Sequence, residues 1–147
     1  MKRNHILIIN GPNLDKLGSR EVSVYGNETL EQINQQLIKE AKKFDFEIAF
    51  KQSNHEGKII DFIHDSAEKS DAIIINAGGY SHTSVAIHDA LKICKLPKVE
   101  VHLSNILNRE EFRANSLISK ACDGSIIGMG KLGYISALFT IKQMLTN

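Results

Sequence analysis

Five short apolar runs recur along the chain, and the hydrophobic period changes between them. Several of the runs are rich in Ile and Val and show no polar alternation, which is typical of parallel strands covered on both faces. The runs are His5–Asn10, Glu47–Gln52, Ala72–Asn76, Val99–His102 and Gly124–Gly128. The pattern therefore predicts five strands of a parallel sheet.

The segments between these runs show helical spacing. Leu30, Ile33 and Leu37 fall on one face of the first such segment, and Thr29 with Gln32 forms a capping-box signal at its start. Further helices are predicted at Gly57–Glu68, Ser84–Lys95, Arg109–Ser119 and Gly133–Leu145. Strands alternating with helices through right-handed crossovers predict an α/β fold. We expect a flavodoxin-like, doubly wound, five-stranded parallel sheet with strand order 2-1-3-4-5.

Length and charge narrow the class of protein. The chain has 147 residues, so residues 1–147 are expected to form a single domain. A net charge of +1 gives no sign of nucleic-acid binding or of an anionic membrane surface. The apolar runs fall far short of the ~20 residues that a membrane span requires, so a soluble, cytoplasmic protein is expected. Cys94 and Cys122 lie far apart and are expected to be buried thiols.

Polar side chains are concentrated where the predicted strands end. Ligands of open α/β sheets bind in the crevice beyond the carboxyl ends of the strands. The polar segments at those ends are Asn10–Asn13, Gln52–Gly57, Asn76–Ser84 and Glu100–Ser104. Such a concentration predicts a functional site at this edge of the sheet.

Two motifs match the patterns of known sites, but each is weak evidence for such a site. The segment Gly128–Gly133 fits G-x-G-x-x-G, yet a dinucleotide site needs a further acidic strand end about 20 residues on, and the chain ends before that. A tight strand-to-helix turn is the better interpretation. His82, Asp89 and Ser104 could form a hydrolase triad, but Ser104 lies in no G-x-S-x-G elbow.

Other site classes fit the chain poorly. No metal site is expected, because cap and core roles are commoner for residues such as His55, Glu56, Asp61 and His64. A flavodoxin-like electron carrier would need a hydroxyl-rich phosphate loop, whereas the 11–16 loop has no Ser or Thr. A signalling receiver would need acidic strand ends, and Asn10 and Asn76 stand there instead.

The long polar segment Asn13–Glu28 carries Arg20 and Tyr25 between glycines. Segments of this length in compact domains are usually lids or binding elements. A guanidinium about 4 Å from a phenolate contributes ~4 kcal/mol at an effective dielectric of ~20, so Arg20 could activate the Tyr25 phenol. Burial would oppose ionisation, so a second cation would help, and Arg113 is a candidate.

Four motifs occur in the order NGPNLDKLGSRE…YG, QSNHEG, INAGGYSHTSVAIHDAL and EVHLSN…REEFR…S. Together they cover nearly the whole chain and resemble the type II 3-dehydroquinate dehydratases. The resemblance implies a flavodoxin-like hydro-lyase that assembles as a dodecamer of trimers. It also implies reversible, cofactor-independent conversion of 3-dehydroquinate to 3-dehydroshikimate in the shikimate pathway. The same step serves aromatic biosynthesis and quinate breakdown, and the residues do not distinguish the two.

The resemblance also implies roles for the reacting groups. Tyr25, as the phenolate, would remove a proton from the carbon beside the ketone, and Arg20 would stabilise that phenolate and close the lid. Asn13 would hold a water molecule that stabilises the enolate. His102 would protonate the departing hydroxyl, with Asn76 and Glu100 orienting its ring.

The same resemblance implies the substrate contacts. The substrate-binding residues would be Asn76, His82, Asp89, Leu103, Ser104 and Arg113. Leu103 and Ser104 would bind the carboxylate, and His82 with Arg113 would bind the ring hydroxyls. Asp89 would reach the site of a neighbouring subunit.

Five positions depart from the usual family pattern: Asp15, Val22, Ala77, Gly79 and His88. Val22 stands where a proline is usual, so we expect a more mobile lid. All five lie beside, rather than at, the positions assigned to chemistry.

Overall fold

The computed structural model describes residues 2–147 and contains a five-stranded parallel sheet with strand order 2-1-3-4-5. The strands are β1 His5–Asn10, β2 Glu47–Gln52, β3 Ala72–Asn76, β4 Lys98–His102 and β5 Gly124–Ile127. The predicted fold class and strand order are confirmed. The only shifts are at two strand ends, since β4 begins one residue earlier and β5 ends one residue earlier than expected.

Burial follows the position of each strand in the sheet. Strands β1, β3 and β4 are buried along almost their whole length, whereas β2 and β5 lie at the edges and are partly exposed. The Ile-rich sequences therefore belong to the central strands β1 and β3, which are covered on both faces.

Helices cover both faces of the sheet. They are α1 Val22–Tyr25, α2 Leu30–Lys42, α3 Glu56–Lys69, α4 Val85–Ile93 and α5 Leu132–Thr146. Helices α2 and α5 pack with Ile6 and Ile8 on one face, and α3 and α4 pack with Leu7 and Ile9 on the other. The predicted capping box at Thr29 is present, because Thr29 and Gln32 exchange hydrogen bonds between side chain and backbone.

The prediction of a helix over Arg109–Ser119 is wrong. This segment instead contains one short 3-10 turn, Glu111–Arg113, and two others flank it at Ile106–Asn108 and Ser119–Ala121. The backbone N–H of Leu117 donates to the Ser81 carbonyl (2.7 Å), and the Ser116 hydroxyl donates to Glu100 (2.6 Å). Because these groups bind the loop after β3 and the strand β4, they do not continue a helical ladder.

The glycine-rich segment before α5 is a tight turn, as the sequence suggested. Gly128 has a φ of 87°. A Cβ atom on Gly133 would lie 3.2 Å from a methyl group of Val101, so the absence of a side chain lets α5 approach β4 closely. Within residues 2–147, no helix has the length and apolar character to cross a membrane.

Candidate active site

The carboxyl ends of β1, β3 and β4 open into a cavity of about 110 Å³, where the sequence placed the site. Its walls come from the lid, from the turn after β3 and from the segment after β4. The lining residues are Pro12, Asn13, Leu14, Arg20, Tyr25, Asn76, Gly78, Gly79, His82, His102, Leu103, Ser104, Ile106, Arg109 and Arg113. The structure therefore brings together nine of the eleven predicted site residues in one cavity, and Glu100 and Asp89 lie outside its lining.

The lid, the segment Asn13–Glu28, begins with a sharp backbone turn at Asn13. This residue has a left-handed φ of 68°, and its backbone N–H donates to the Asn54 side chain (3.0 Å). Leu14 and Leu17 are buried and hold the start of the lid against the core. The lid then forms the single turn of helix α1, which carries Tyr25 at its end.

Two guanidinium groups converge on Tyr25. The Nη1 atom of Arg109 donates to the Tyr25 hydroxyl at 2.7 Å. The Arg20 guanidinium carbon lies 4.6 Å from the centroid of the Tyr25 ring, so Arg20 contacts the ring face. Arg20 also pairs with Glu21 at 2.8 Å. The predicted contact between Arg20 and Tyr25 is present, but the hydroxyl itself is bound by a different arginine.

Sequence reasoning missed Arg109 and suggested Arg113 as the second cation. Arg113 lines the cavity, but its Nε atom pairs with Glu110 at 2.9 Å. That hydrogen bond is the main cause of a lowered pKa at Glu110. Arg109 is the first residue of the segment predicted to be a helix, and nothing in the local pattern places its side chain in a cavity. Its side chain is only 12% exposed.

His102, which lines the cavity, pairs with the buried carboxylate of Glu100 outside the lining. The His102 Nε2 atom lies 2.9 Å from Glu100 Oε2, and both side chains are buried. Glu100 also accepts hydrogen bonds from Ser116 (2.6 Å) and Ser125 (2.8 Å). Burial alone would raise the pKa of Glu100, yet the hydrogen bond and charge of His102 and the two serine hydroxyls hold it below its ordinary value. Glu100 is therefore an ionised acceptor beside His102.

Asn76 has different partners from those predicted. Its amide nitrogen donates to the Tyr134 hydroxyl (3.2 Å), and its amide oxygen accepts from the Gly78 backbone N–H (3.2 Å). Among the described residues these are the hydrogen-bond partners of the Asn76 side chain, so its role in orienting the His102 imidazole stays a prediction. Glu100 contacts that imidazole, and Asn76 remains a lining residue of the cavity.

His82 lies beside His102, with ring centroids 6.3 Å apart and ring planes 20° from parallel. Its Nδ1 atom donates to the Asn115 carbonyl (2.9 Å), which leaves Nε2 as the remaining ring nitrogen. The Ser104 hydroxyl accepts a hydrogen bond from Arg109 at 3.2 Å. Since Arg109 binds Ser104 and Tyr25 with the same nitrogen, it links the lid to the segment after β4.

Asp89 does not join these residues. It lies on α4 with a side chain that is 67% exposed, and its neighbour is His88 at 3.3 Å. The hydrolase triad considered from the sequence would require Asp89 in the cavity, where the structure does not place it.

Residues 4–142 match the family model for dehydroquinase class II. This chain belongs to the class II dehydroquinase family. The 3-dehydroquinate dehydratase of Caldicellulosiruptor bescii is 52% identical over 141 residues, covering 95% of this chain and 97% of that protein. The 3-dehydroquinate dehydratase 1 of Agrobacterium fabrum is 46% identical over 141 residues, covering 96% and 97%.

Solved structures agree with this assignment. The type II dehydroquinase of Butyrivibrio crossotus has a TM-score of 0.92 at 44% identity, covering 99% of both chains. The type II dehydroquinase of Propionibacterium acnes has a TM-score of 0.92 at 37% identity, covering 97% of this chain and 98% of that one. The class II dehydroquinase family, the hydro-lyase class and the flavodoxin-like fold predicted from the motifs are confirmed.

Proposed function

We propose that this class II dehydroquinase converts 3-dehydroquinate reversibly to 3-dehydroshikimate through an enolate, without a cofactor. The Tyr25 phenolate removes a proton from the carbon beside the ring ketone, and the C–H electron pair forms the enolate. Collapse of the enolate expels the hydroxyl on the next carbon, and His102 gives that hydroxyl a proton, so that water leaves. Such an elimination needs one base, one acid and a stabilised oxyanion.

The observation that carries this proposal is the 2.7 Å hydrogen bond from Arg109 to the Tyr25 hydroxyl, with Arg20 4.6 Å from the same ring. An arginine N–H aimed at the Tyr25 oxygen and a second guanidinium over the ring are contacts expected around a tyrosine that acts as a base. The arrangement therefore supports Tyr25 as the base.

The acid side of the mechanism rests on the pair of Glu100 and His102. An ionised carboxylate can only accept, so the His102 Nε2 atom carries the proton of their 2.9 Å hydrogen bond. Glu100 thereby fixes the ring, and the other nitrogen, Nδ1, would pass a proton to the departing hydroxyl. This is the arrangement that a general acid needs.

The remaining residues provide binding and closure. Ser104 and the backbone of Leu103 line the cavity and would bind the substrate carboxylate, while His82 and Arg113 would bind ring hydroxyls. Asn13 would hold the water that stabilises the enolate. The lid that carries Arg20 would close over the substrate and exclude bulk water, which strengthens the ionic interactions.

We also propose the homo-oligomer that the family resemblance implies, a dodecamer of trimers. Asp89 supports this proposal because its exposed side chain lies outside the cavity of its own subunit. It is therefore available to a neighbouring subunit. Light scattering of the purified protein tests this proposal, and a monomer that turns over substrate at full rate would contradict a role for Asp89 between subunits.

The experiment that tests the proposed reaction mixes purified protein with 3-dehydroquinate and follows the ultraviolet absorbance of the conjugated product. We expect rapid product formation that survives chelator treatment and is almost lost in Tyr25→Phe. Tyr80→Phe is a matched control, since the Tyr80 hydroxyl donates to the Asn54 carbonyl and lies outside the cavity lining. A folded wild type without turnover would overturn the proposal, and other hydroxylated acids would then be tested.

A further inference from the structure

Tyr134 lies behind the cavity in the first turn of α5 and is 1% exposed. The neighbouring Gly133 explains how it comes so close to the strand ends. A Cβ atom on Gly133 would lie 3.2 Å from Val101 and 3.5 Å from Ile126, so a glycine here favours the close packing of α5 on the sheet. Gly133, in the first turn of α5, thus helps to place a phenol near the ends of β1 and β3.

The Tyr134 hydroxyl joins two strand ends. It donates to the Asn10 side-chain oxygen at 2.5 Å and accepts from the Asn76 side-chain nitrogen at 3.2 Å. The Asn76 oxygen in turn accepts from the Gly78 backbone N–H at 3.2 Å. A continuous chain of hydrogen bonds therefore runs from β1 through α5 to the turn after β3.

The groups that can only donate decide which atom donates and which accepts in each of these hydrogen bonds. The Gly78 backbone N–H can only donate, so the Asn76 atom that faces it is the oxygen. The Asn76 nitrogen must then face Tyr134, whose hydroxyl accepts there and donates its single proton to Asn10. Burial raises the pKa of Tyr134 above its ordinary value despite the hydrogen bond from Asn76, so the hydroxyl keeps its proton at neutral pH.

We propose that Tyr134 is a positioning residue that, together with the Gly78 backbone N–H, holds the Asn76 amide in one orientation, so that Asn76 offers an N–H donor to the substrate. The Asn76 nitrogen carries two hydrogens, and only one is used by Tyr134. Since Asn76 lines the cavity, the second hydrogen is available to an acceptor oxygen of the bound substrate. A reversed amide would offer a carbonyl oxygen and repel that acceptor. This inference rests on the proposed dehydratase function.

The first test is Tyr134→Phe, which keeps the ring and removes only the hydroxyl. We expect KM for 3-dehydroquinate to rise about tenfold, with kcat changed less than about threefold, because one binding hydrogen bond loses its fixed geometry. Ser66→Ala is the matched control. It removes another buried hydroxyl, whose hydrogen bond to Ile63 lies within α3, and a general loss of stability would affect both variants.

A double-mutant cycle shows whether Tyr134 acts through Asn76. In an Asn76→Ala background, Tyr134→Phe should change kcat/KM by less than about twofold, since the amide that it orients is gone. An unchanged KM in folded Tyr134→Phe, or independent effects of the two substitutions, would overturn the proposal.

A second measurement uses the wild type without ligand and does not depend on whether Tyr134→Phe folds. Proton NMR of isotope-labelled protein should show a slowly exchanging Tyr134 hydroxyl proton that is close to one Asn76 side-chain amide proton. The lack of that hydroxyl signal would overturn the inference. Failure of the wild type to dehydrate 3-dehydroquinate would instead overturn the proposed function, so the two failures are distinguishable.

Discussion

The Nη1 atom of Arg109 lies 2.7 Å from the hydroxyl oxygen of Tyr25, although 84 positions separate the two residues in the chain. The same nitrogen also donates to Ser104 at 3.2 Å. Arg109 therefore holds the lid against the segment after β4 and places its charge at the atom proposed to act as the base. Arg20 approaches the ring face instead, so the two arginines have different geometries.

We predict that Arg109→Gln lowers kcat by about 10²–10³-fold, the usual effect of removing one donor that stabilises a reacting oxyanion. Steady-state kinetics with 3-dehydroquinate measure this loss. Arg3→Gln is the matched control, since Arg3 is exposed at the amino terminus. A normal kcat in Arg109→Gln would contradict the proposed role.

We predict that the free energy of unfolding falls as the pH is lowered, because Glu100 becomes protonated. Its pKa is lowered in the folded state from an ordinary value of 4.5, because hydrogen bonds and charge outweigh burial. The ionised form therefore contributes stability that is present above about pH 4.5 and is lost as the pH falls through the lowered folded value. Glu100→Gln should lose about 1–3 kcal/mol at pH 7 and show a weaker acid dependence.

Urea unfolding at pH 7 and at pH 4 measures this difference. Glu68→Gln is a suitable control, because Glu68 is exposed on α3 and removing its charge should leave the acid dependence unchanged. Equal acid dependence in wild type and Glu100→Gln would show that another group controls acid unfolding.

The end of the lid is held by an ion pair. Lys131 pairs with Glu28 at 2.8 Å, and Gln36 donates to the other oxygen of Glu28. These two hydrogen bonds, that of Lys131 first, lower the pKa of Glu28. The side chains of Lys131 and Glu28 are 37% and 36% exposed, so the pair contributes at most about 1 kcal/mol.

We predict that Lys131→Gln increases protease cleavage within the lid by up to about fivefold at low salt, which corresponds to ~1 kcal/mol of local stability. The difference from wild type should shrink as salt is added. Limited proteolysis followed by mass spectrometry locates the cleavage. Lys120→Gln, at an exposed position, is the control. A cleavage rate in Lys131→Gln that matches the control would contradict the prediction that this ion pair holds the end of the lid.

Local pattern was sufficient to predict the sheet. The Ile-rich runs in β1 and β3 are buried on both faces, and such runs are typical of central parallel strands. Thr29 and Gln32 form their capping box from residues three apart, so that contact could also be predicted. These features depend on short spacings or on the period of a single element.

The segment from Arg109 to Ser119 could not be predicted in the same way. Its mixture of charged and apolar residues is compatible with a helix, and only distant partners decide otherwise. Those partners are Tyr25 for Arg109, Ser81 for Leu117 and Glu100 for Ser116. The hydrogen bond between Asn76 and Tyr134 spans 58 positions, so the local sequence pattern could not predict it either.

Val22→Pro tests the expectation that this lid is unusually mobile. Val22 is the first residue of α1, where proline is favoured, but Glu21 before it has a left-handed φ of 37°. Proline should move Glu21 to an extended conformation and slow lid cleavage about two- to fivefold through lost backbone freedom. Val85→Pro is the matched control, because Val85 begins α4 after an extended Ser84. Equal lid cleavage in Val22→Pro and wild type would contradict the expectation.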